Sequence, residues 1–139
     1  MPLKLEILTP ERKVYEELVD EVIAPGSEGY LGILPHHAPL LTGLGAGEFR
    51  VKRGGVEQVL AVFGGFMDVR GDRVTVLTDA AERAEEIDDR QAQEARDAAA
   101  KAVELAASSF NAEEEARARA ALERALVRLR VSERRRRPR

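Results

Sequence analysis

The chain has 139 residues, of which 44% are hydrophobic and 34% charged, a composition typical of one domain or of one small domain with an appendage. It contains no cysteine, which excludes disulfides and thiolate metal sites, and its longest apolar run, Val59 to Met67, is far shorter than the roughly 18 residues that cross a bilayer. Residues 1–80 hold 8 basic and 12 acidic residues, residues 81–115 hold 4 and 11, and residues 116–139 hold 10 and 2. The chain therefore ends in a basic segment that favours an acidic partner, and Lys4 and Glu6 leave no signal-peptide pattern at its start.

The first part of the chain is predicted to form strands. All 11 glycines lie between Gly26 and Gly71, so this part is rich in turns. Alternation of apolar and polar residues predicts a half-buried strand in Leu3–Ile7, and strand formers predict others in 18–24, 49–52, 67–69 and 74–77. Gly54-Gly55 and Gly71-Asp72 have the composition of tight hairpin turns, so the pattern predicts a small sandwich or barrel.

The second part, beyond a boundary near residues 77–81, is predicted to form two helices. Residues 72–137 contain no glycine or proline, and the first helix is expected from Glu82 to Ala107. After a break at residues 108–110, Asn111 is the expected N-cap of the second helix. So short a connection predicts an antiparallel hairpin. The apolar face of the first helix is expected at Ala92, Ala95, Ala99, Ala102 and Ala106, and that of the second at Ala118, Leu122, Ala125, Leu126 and Leu129.

The most specific motif is the segment Gly29 to Leu40. It reads Gly-Tyr-Leu-Gly-Ile-Leu-Pro-His-His-Ala-Pro-Leu and resembles the G-x-L-G-I-x-P-x-H-x-P-L signature of the epsilon subunit of rotary F-type ATP synthases. Further matches follow in the same order at Gly64-Gly65-Phe66, Ile87-Asp88 and Leu129-Arg130-Val131. The resemblance extends from about residue 3 to residue 134.

This resemblance implies an α+β protein whose two classes of secondary structure are segregated along the chain. Residues 1–80 would form an antiparallel β-sandwich that binds the gamma subunit and the membrane rotor ring (c-ring). Residues 81–139 would form an antiparallel helical hairpin with a basic tail, which extends to the catalytic beta and alpha subunits and restrains ATP hydrolysis. The chain would then be a central-stalk part, not an enzyme. It would lie at the cytoplasmic face of the bacterial plasma membrane, held there only through the complex.

The resemblance also assigns candidate contact residues. A single loop from Glu28 to His37 is expected to face the ring, with the ring and gamma contacts at Glu28, Tyr30, Leu31 and His37. Tyr30 stands where some relatives have an acidic residue, so a tyrosine hydrogen bond or stacking contact would replace an ion pair. The inhibitory basic helix carries Arg117, Arg119, Arg124, Arg128 and Arg130. In a docked hairpin, Arg117, Arg124 and Arg128 would have Glu94, Asp97 and Glu104 as available partners.

Small ligands have weak sequence support. Some members of the family bind ATP as a regulator through a motif that would here include Ile87, Asp88 and Ala92, but Gln91 stands where the motif has arginine. Packing by Ile87 and capping by Asp88 are therefore favoured, and no cofactor is expected. The adjacent His36 and His37 are too few for a zinc site, which needs three or four ligands, and residues 43–47 lack the spacing of a phosphate loop.

Two other functions fit parts of the sequence. The basic end, including the run Arg134 to Arg137, would suit a stand-alone module that binds nucleic acid or an anionic surface. Against this, Phe110 is the only aromatic residue in the helical part, whereas single-strand binders interleave aromatics with basic residues. The second alternative, a small β-sandwich enzyme, lacks a candidate nucleophile, because none of the four serines lies in a G-x-S-x-G setting.

Overall fold

The computed structural model of the chain describes residues 2–134. Of the predicted terminal run Arg134 to Arg137, all but Arg134 therefore lies outside the described residues. Two compact units follow each other along the chain, divided between Arg83 and Ala84. This division falls three residues beyond the predicted 1–80, because a short strand extends the first unit.

The first unit is a sandwich of two five-stranded sheets. One sheet has the order β2-β1-β9-β8-β5 and the other β10-β7-β6-β3-β4. All strand pairs are antiparallel except β1 and β9, which run parallel with Lys4 opposite Arg73. The strands are β1 Leu3–Leu8, β2 Lys13–Val19, β3 Glu21–Gly26, β4 Gly29–Ile33, β5 Leu40–Gly43, β6 Ala46–Arg53, β7 Val56–Phe63, β8 Phe66–Arg70, β9 Arg73–Leu77 and β10 Ala81–Arg83.

The core of the sandwich lies between the sheets and follows the two-residue period of its strands. Leu3, Leu5 and Ile7 of β1 are completely buried, while the residues between them are partly exposed. The same alternation in β6, β8 and β9 lets these strands contribute every second side chain to one cluster. Its other members include Phe49, Tyr15, Leu60, Met67, Ile33, Val22, Val51, Val62, Val69, Val74 and Val76.

Both predicted hairpin turns are confirmed. Gly54 and Gly55 have φ of 57° and 79° between β6 and β7, while Gly71 and Asp72 have 56° and 60° between β8 and β9. The single strand expected over residues 18–24 was wrong, because the chain leaves one sheet at Val19 and enters the other at Glu21. Asp20, between them, accepts a hydrogen bond from the Gly54 amide on Oδ2 at 2.8 Å.

The second unit contains a short 3₁₀ helix, Ala84–Glu86, followed by α1, Asp89–Ser109, and α2, Ala112–Arg134. The first helix was expected to begin at Glu82. It begins seven residues later because residues 81–83 pair with β7 as β10. Asp88 caps α1 by accepting from the Gln91 amide at 3.1 Å, as predicted. Asn111 caps α2 in the same way through the Glu114 amide, also at 3.1 Å.

The helices pack as a hairpin along a seam of small side chains. Buried residues recur every seven positions, at Ala92, Ala99, Ala106 in α1 and at Ala118, Ala125, Ser132 in α2. The buried alanines of α1 lie seven residues apart, so the prediction that Ala95 and Ala102 share their face was wrong, and both are exposed. Leu126 is also exposed, while Val127 and Val131 are buried. Ala118 and Ala125 of the predicted stripe are buried, whereas Val127 and Val131 lie on roughly the opposite side of α2 at about 100° per residue, so burial near the end of this helix extends beyond the predicted stripe.

Candidate partner-binding surfaces

The turn between β3 and β4 presents the first group of predicted contact residues. Glu28 is exposed at this turn, and Tyr30 beside it is 56% exposed. The Tyr30 hydroxyl accepts a hydrogen bond from the Glu48 amide at 3.0 Å, and a Cβ on Gly47 would lie only 2.7 Å from this hydroxyl. Glycine at position 47 therefore lets the tyrosine lie against β6. The Tyr30 ring is held in place, and its own O–H remains available to a partner.

Leu31 has a different surrounding from its neighbours. It is partly buried and packs against the core of the sandwich. Its side chain also lies 3.2 Å from the position that a Cβ on Gly26 would occupy. Leu31 thus supports the β3–β4 turn from within, while Glu28 and Tyr30 form its exposed surface.

His37 does not lie with Glu28 and Tyr30. Residues 29–33 are the strand β4, whose Gly29 pairs with Gly26 at one end and whose Ile33 pairs with Val22 at the other. Five residues of strand span about 16 Å. The expected single loop from Glu28 to His37 was wrong: a strand separates two turns at opposite ends of the sandwich. The second turn, residues 34–37, is called here the His37 turn.

The His37 turn is closed by its own hydrogen bonds. The His37 amide donates to the Leu34 carbonyl at 3.2 Å, and His37 Nδ1 lies 2.7 Å from the Ala38 carbonyl oxygen. His36 is largely exposed, and its Nδ1 is 3.6 Å from Asp72 Oδ2. The two histidines therefore have different surroundings, although they are neighbours in sequence.

The outer face of the first sheet carries an apolar surface that the sequence pattern did not predict. Leu41, Phe66 and Leu77 are exposed by 70%, 60% and 54%, and we call these three residues the outer apolar row. Phe66 pairs directly with Leu77, and Leu41 pairs with Asp68, two residues from Phe66 on the same face. The missed signal was an apolar residue on the polar side of the alternation in β8 and β9. Contiguous exposed apolar side chains are typical of interaction sites, of which protein-binding surfaces are one kind.

A shallow cleft of about 390 Å³ adjoins the outer apolar row at the end of β9. Leu8 pairs with Leu77 across β1 and β9, so the cleft continues the apolar surface onto a fourth strand. Its lining is mainly apolar, with Asp79 the one ionisable side chain, and consists of Leu8, Thr9, Pro10, Gly65, Phe66, Leu77, Thr78 and Asp79. Such a cleft can take an apolar side chain of a partner protein.

The predicted basic helix is α2. Arg117, Arg119, Arg124 and Arg130 are exposed, and Arg128 is half-buried. Arg119 Nε lies 3.4 Å from Glu115 Oε1 in the same helix, while Arg128 donates to Gln91 Oε1 of α1 at 3.2 Å.

Two of the acidic residues that were expected to be available to these arginines have ion pairs within α1. Arg90 Nε is 3.7 Å from Glu94 Oε1, and Arg96 Nη2 is 3.1 Å from Asp97 Oδ1. Both pairs join side chains of the same helix, so the acidic surface of α1 is partly neutralised locally.

The residues that match the ATP motif form the start of α1. Ile87 and Ala92 are buried, and the Asp88 carboxylate is the N-cap of the helix. Gln91 accepts from Arg128, and Arg90, one position early for the motif, is almost fully exposed. Packing and capping account for these side chains, as the sequence favoured.

Metal binding and membrane crossing find no support in residues 2–134. Within this range, no group of three or more histidine, aspartate or glutamate side chains is arranged to hold a metal ion. Neither helix in the same range is apolar enough over a sufficient length to cross a membrane.

Comparisons with known proteins agree on one family. The profile of the ATP synthase Delta/Epsilon chain, beta-sandwich domain, matches residues 2–84. The ATP synthase epsilon chain of Dehalococcoides mccartyi is 54% identical over 136 residues, which cover 96% of this chain and 94% of the relative. That of Herpetosiphon aurantiacus is 51% identical and covers 98% of both chains. A chain in the cryo-EM structure of Euglena gracilis mitochondrial ATP synthase, OSCP/F1/c-ring in rotational state 1, has the same fold, with a TM-score of 0.78 at 23% identity over 90% of this chain and 78% of that one.

Proposed function

Because the chain belongs to the epsilon-chain family of ATP synthase, we propose that it is a central-stalk rotor subunit of a proton- or ion-translocating F-type enzyme. It is not one of the catalytic chains. In this role it couples the membrane ring to the catalytic head and restrains ATP hydrolysis through its C-terminal helices. The complex holds it peripherally at the cytoplasmic face of the bacterial plasma membrane.

The outer apolar row is the observation that carries this proposal. It offers Leu41, Phe66 and Leu77 on one face of a rigid sheet, and it adjoins an apolar cleft. We assign this face, together with the His37 turn, to the gamma subunit. Burial of a large apolar side chain contributes about 1.5–3 kcal/mol, and each of these three is already partly covered. The change Phe66→Ser is therefore expected to weaken gamma binding by about tenfold.

The turn that carries Glu28 and Tyr30 is assigned to the polar loop of the ring. A held tyrosine with a free O–H can donate to a carbonyl or a carboxylate of that loop. The change Tyr30→Cys should allow crosslinking to a cysteine in the ring loop, whereas His37→Cys, at the opposite end of β4, should crosslink to gamma. The reverse pattern would overturn this orientation of the sandwich.

The arginines of α2 are assigned to the catalytic beta and alpha subunits in an extended state of the hairpin. Exposed ion pairs contribute only about 0–1 kcal/mol each, so inhibition must depend on several of them. The triple change of Arg117, Arg124 and Arg128 to alanine is expected to raise ATP hydrolysis by the complex. Added salt is expected to do so partly in the unmodified complex, since it screens exposed charges.

A control that also removes basic side chains is available on the other helix. Replacing Arg90 and Arg96 of α1 by alanine also removes basic side chains but changes pairs internal to that helix. Hydrolysis should then stay near the unmodified rate. If neither the triple change nor salt alters hydrolysis while the subunit stays bound, charge on α2 does not hold the inhibited state.

Co-purification separates this function from the nucleic-acid alternative. A tagged chain should recover gamma and the catalytic subunits from a lysate treated with nuclease. Loss of all protein partners after that treatment would favour a nucleic-acid-binding module instead.

A further inference from the structure

The His37 turn has an unfavourable residue at its third position. Pro35 occupies the second position and His36 the third, with φ of 68°, and the His37 amide closes the turn on the Leu34 carbonyl. Proline at the second position and a positive φ at the third are the features of a type II turn, in which glycine is strongly preferred at the third position. A histidine there needs a stabilising contact from elsewhere.

That contact comes from the turn between β8 and β9. The His36 amide donates to Asp72 Oδ1 at 2.6 Å, and Asp72 itself has φ of 60°. Within residues 2–134, only His36, Asp72 and Phe110 are non-glycine residues with positive φ, so one hydrogen bond joins two of the three. Residues held in such conformations tend to cluster where a protein binds its partners.

Asp72 is well placed to hold another segment. Its side chain is 22% exposed, and its carbonyl accepts a hydrogen bond from the Lys4 amide at 2.9 Å, which ties the turn to β1. Lys4 and Arg70 have other partners: Lys4 Nζ lies 3.8 Å from Glu16 Oε2, and Arg70 Nη2 lies 3.7 Å from Asp68 Oδ1. The Asp72 carboxylate is thus fixed by the sheet and directed to the His36 backbone.

We propose that Asp72 is a positioning residue for partner binding. Its carboxylate holds the His37 turn in the shape that presents Leu34, which is 56% exposed, and His37 to the gamma subunit. The identity of the partner rests on the proposed function, whereas the Asp72–His36 contact does not. Asp72 acts through the backbone of the turn, so it need not touch gamma itself.

Three variants of the full chain test this role. Asp72→Gly removes the carboxylate but supplies the residue that best tolerates φ of 60°, so the β8–β9 hairpin stays folded. His36→Gly keeps the amide donor and supplies the residue that the third turn position prefers. In the double variant, the glycine introduced by His36→Gly should hold the turn without help from residue 72. The control is Asp20→Ala, which removes a similar bond between a carboxylate and a turn amide, that of Gly54.

The measurements are amide hydrogen exchange at residue 36, the midpoint of thermal unfolding, and affinity for the gamma-containing stalk of an epsilon-depleted complex. We expect Asp72→Gly to exchange at least tenfold faster at residue 36 and to bind about tenfold more weakly, with an unchanged unfolding midpoint. His36→Gly, the double variant and Asp20→Ala should bind like the unmodified chain. Rescue in the double variant distinguishes positioning from a direct contact between Asp72 and gamma.

Three results would overturn the proposal in different ways. Unchanged exchange at residue 36 in Asp72→Gly would mean that the carboxylate does not hold the turn. Faster exchange with unchanged binding would mean that binding does not need the held shape, provided that His37→Ala weakens it. If His37→Ala also leaves binding unchanged, the assignment of this turn to gamma fails, and the positioning role fails with it.

Discussion

Gly65, directly before β8, is the glycine at which an added methyl group would make the closest contact. Its φ is 106°, a backbone conformation that residues other than glycine rarely adopt. A Cβ built there would overlap the Leu77 carbonyl oxygen and would lie 2.7 Å from Thr78 Cα. Both neighbours are backbone atoms, so the change Gly65→Ala forces the main chain to move.

The cost of this change can be worked out from the contacts. A backbone strained in this way costs about 1–3 kcal/mol. Moving the main chain also disturbs two hydrogen bonds. The Leu44 amide donates to the Gly65 carbonyl at 2.8 Å, and the Gly64 amide donates to the Gly45 carbonyl at 3.2 Å. Each of these bonds contributes about 0.5–1.5 kcal/mol. Together these losses reach about 2–6 kcal/mol. At about 4–8 °C per kcal/mol for a domain of this size, the midpoint should fall by at least about 8 °C.

Thermal and urea unfolding of the full chain, followed by the sheet signal in circular dichroism, measure this effect. The matched control is Gly45→Ala, because no heavy atom lies within 4 Å of the added Cβ and φ is not positive there. Its free energy of unfolding should stay within about 0.5 kcal/mol of that of the unmodified chain, the range that is usual for surface substitutions. Equal midpoints for the two variants would refute the reasoning from φ and close contact.

Two smaller predictions concern the hairpin tip and an exposed charge cluster. Phe110 is 96% exposed and has φ of 59°, a conformation that glycine adopts without strain. Phe110→Gly should therefore stabilise the hairpin by about 1 kcal/mol in a thermal melt followed by the helical signal, and a lower midpoint would contradict this. The hydrogen bond from Lys13 lowers the pKa of Glu16 below its ordinary value of 4.5, so this stabilisation is present above pH 4.5 and is lost as the pH falls through the lowered pKa. In Lys13→Ala, the urea unfolding midpoint should therefore fall less steeply as the pH is lowered below 4.5. An unchanged pH dependence in this range would show that the pair contributes nothing to stability.

Features that depend on a few neighbouring residues could be predicted from the sequence. The turn at Gly54-Gly55 follows from the freedom of glycine to adopt positive φ. The caps at Asp88 and Asn111 follow from side-chain oxygens that accept from amides three residues on. In each case the determining interaction lies within about four residues, which is the range that a sequence pattern reports.

Features that depend on distant pairing could not be predicted in this way. Residues 81–83 read as the start of a helix, but their pairing with β7 is a contact across about 20 residues of sequence. The contact between His36 and Asp72 joins two turns with no common pattern. The motif that contains Tyr30 and His37 is continuous in sequence, yet the strand within it sends these two side chains to opposite ends of the sandwich.

The parallel pairing of β1 with β9 also constrains how the chain acquires its structure during synthesis. Leu3, Leu5 and Ile7 are completely buried, but the strand beside them, Arg73–Leu77, leaves the ribosome about 70 residues later. Until then only β2 can pair with β1, and a two-stranded hairpin is marginally stable at best in water. Contacts so distant in sequence make folding slow, on the scale of milliseconds to seconds for β-sandwiches. The apolar side chains of β1 therefore stay exposed until nearly the whole sandwich has been translated. We expect chaperones that bind apolar segments to bind the nascent chain during this time.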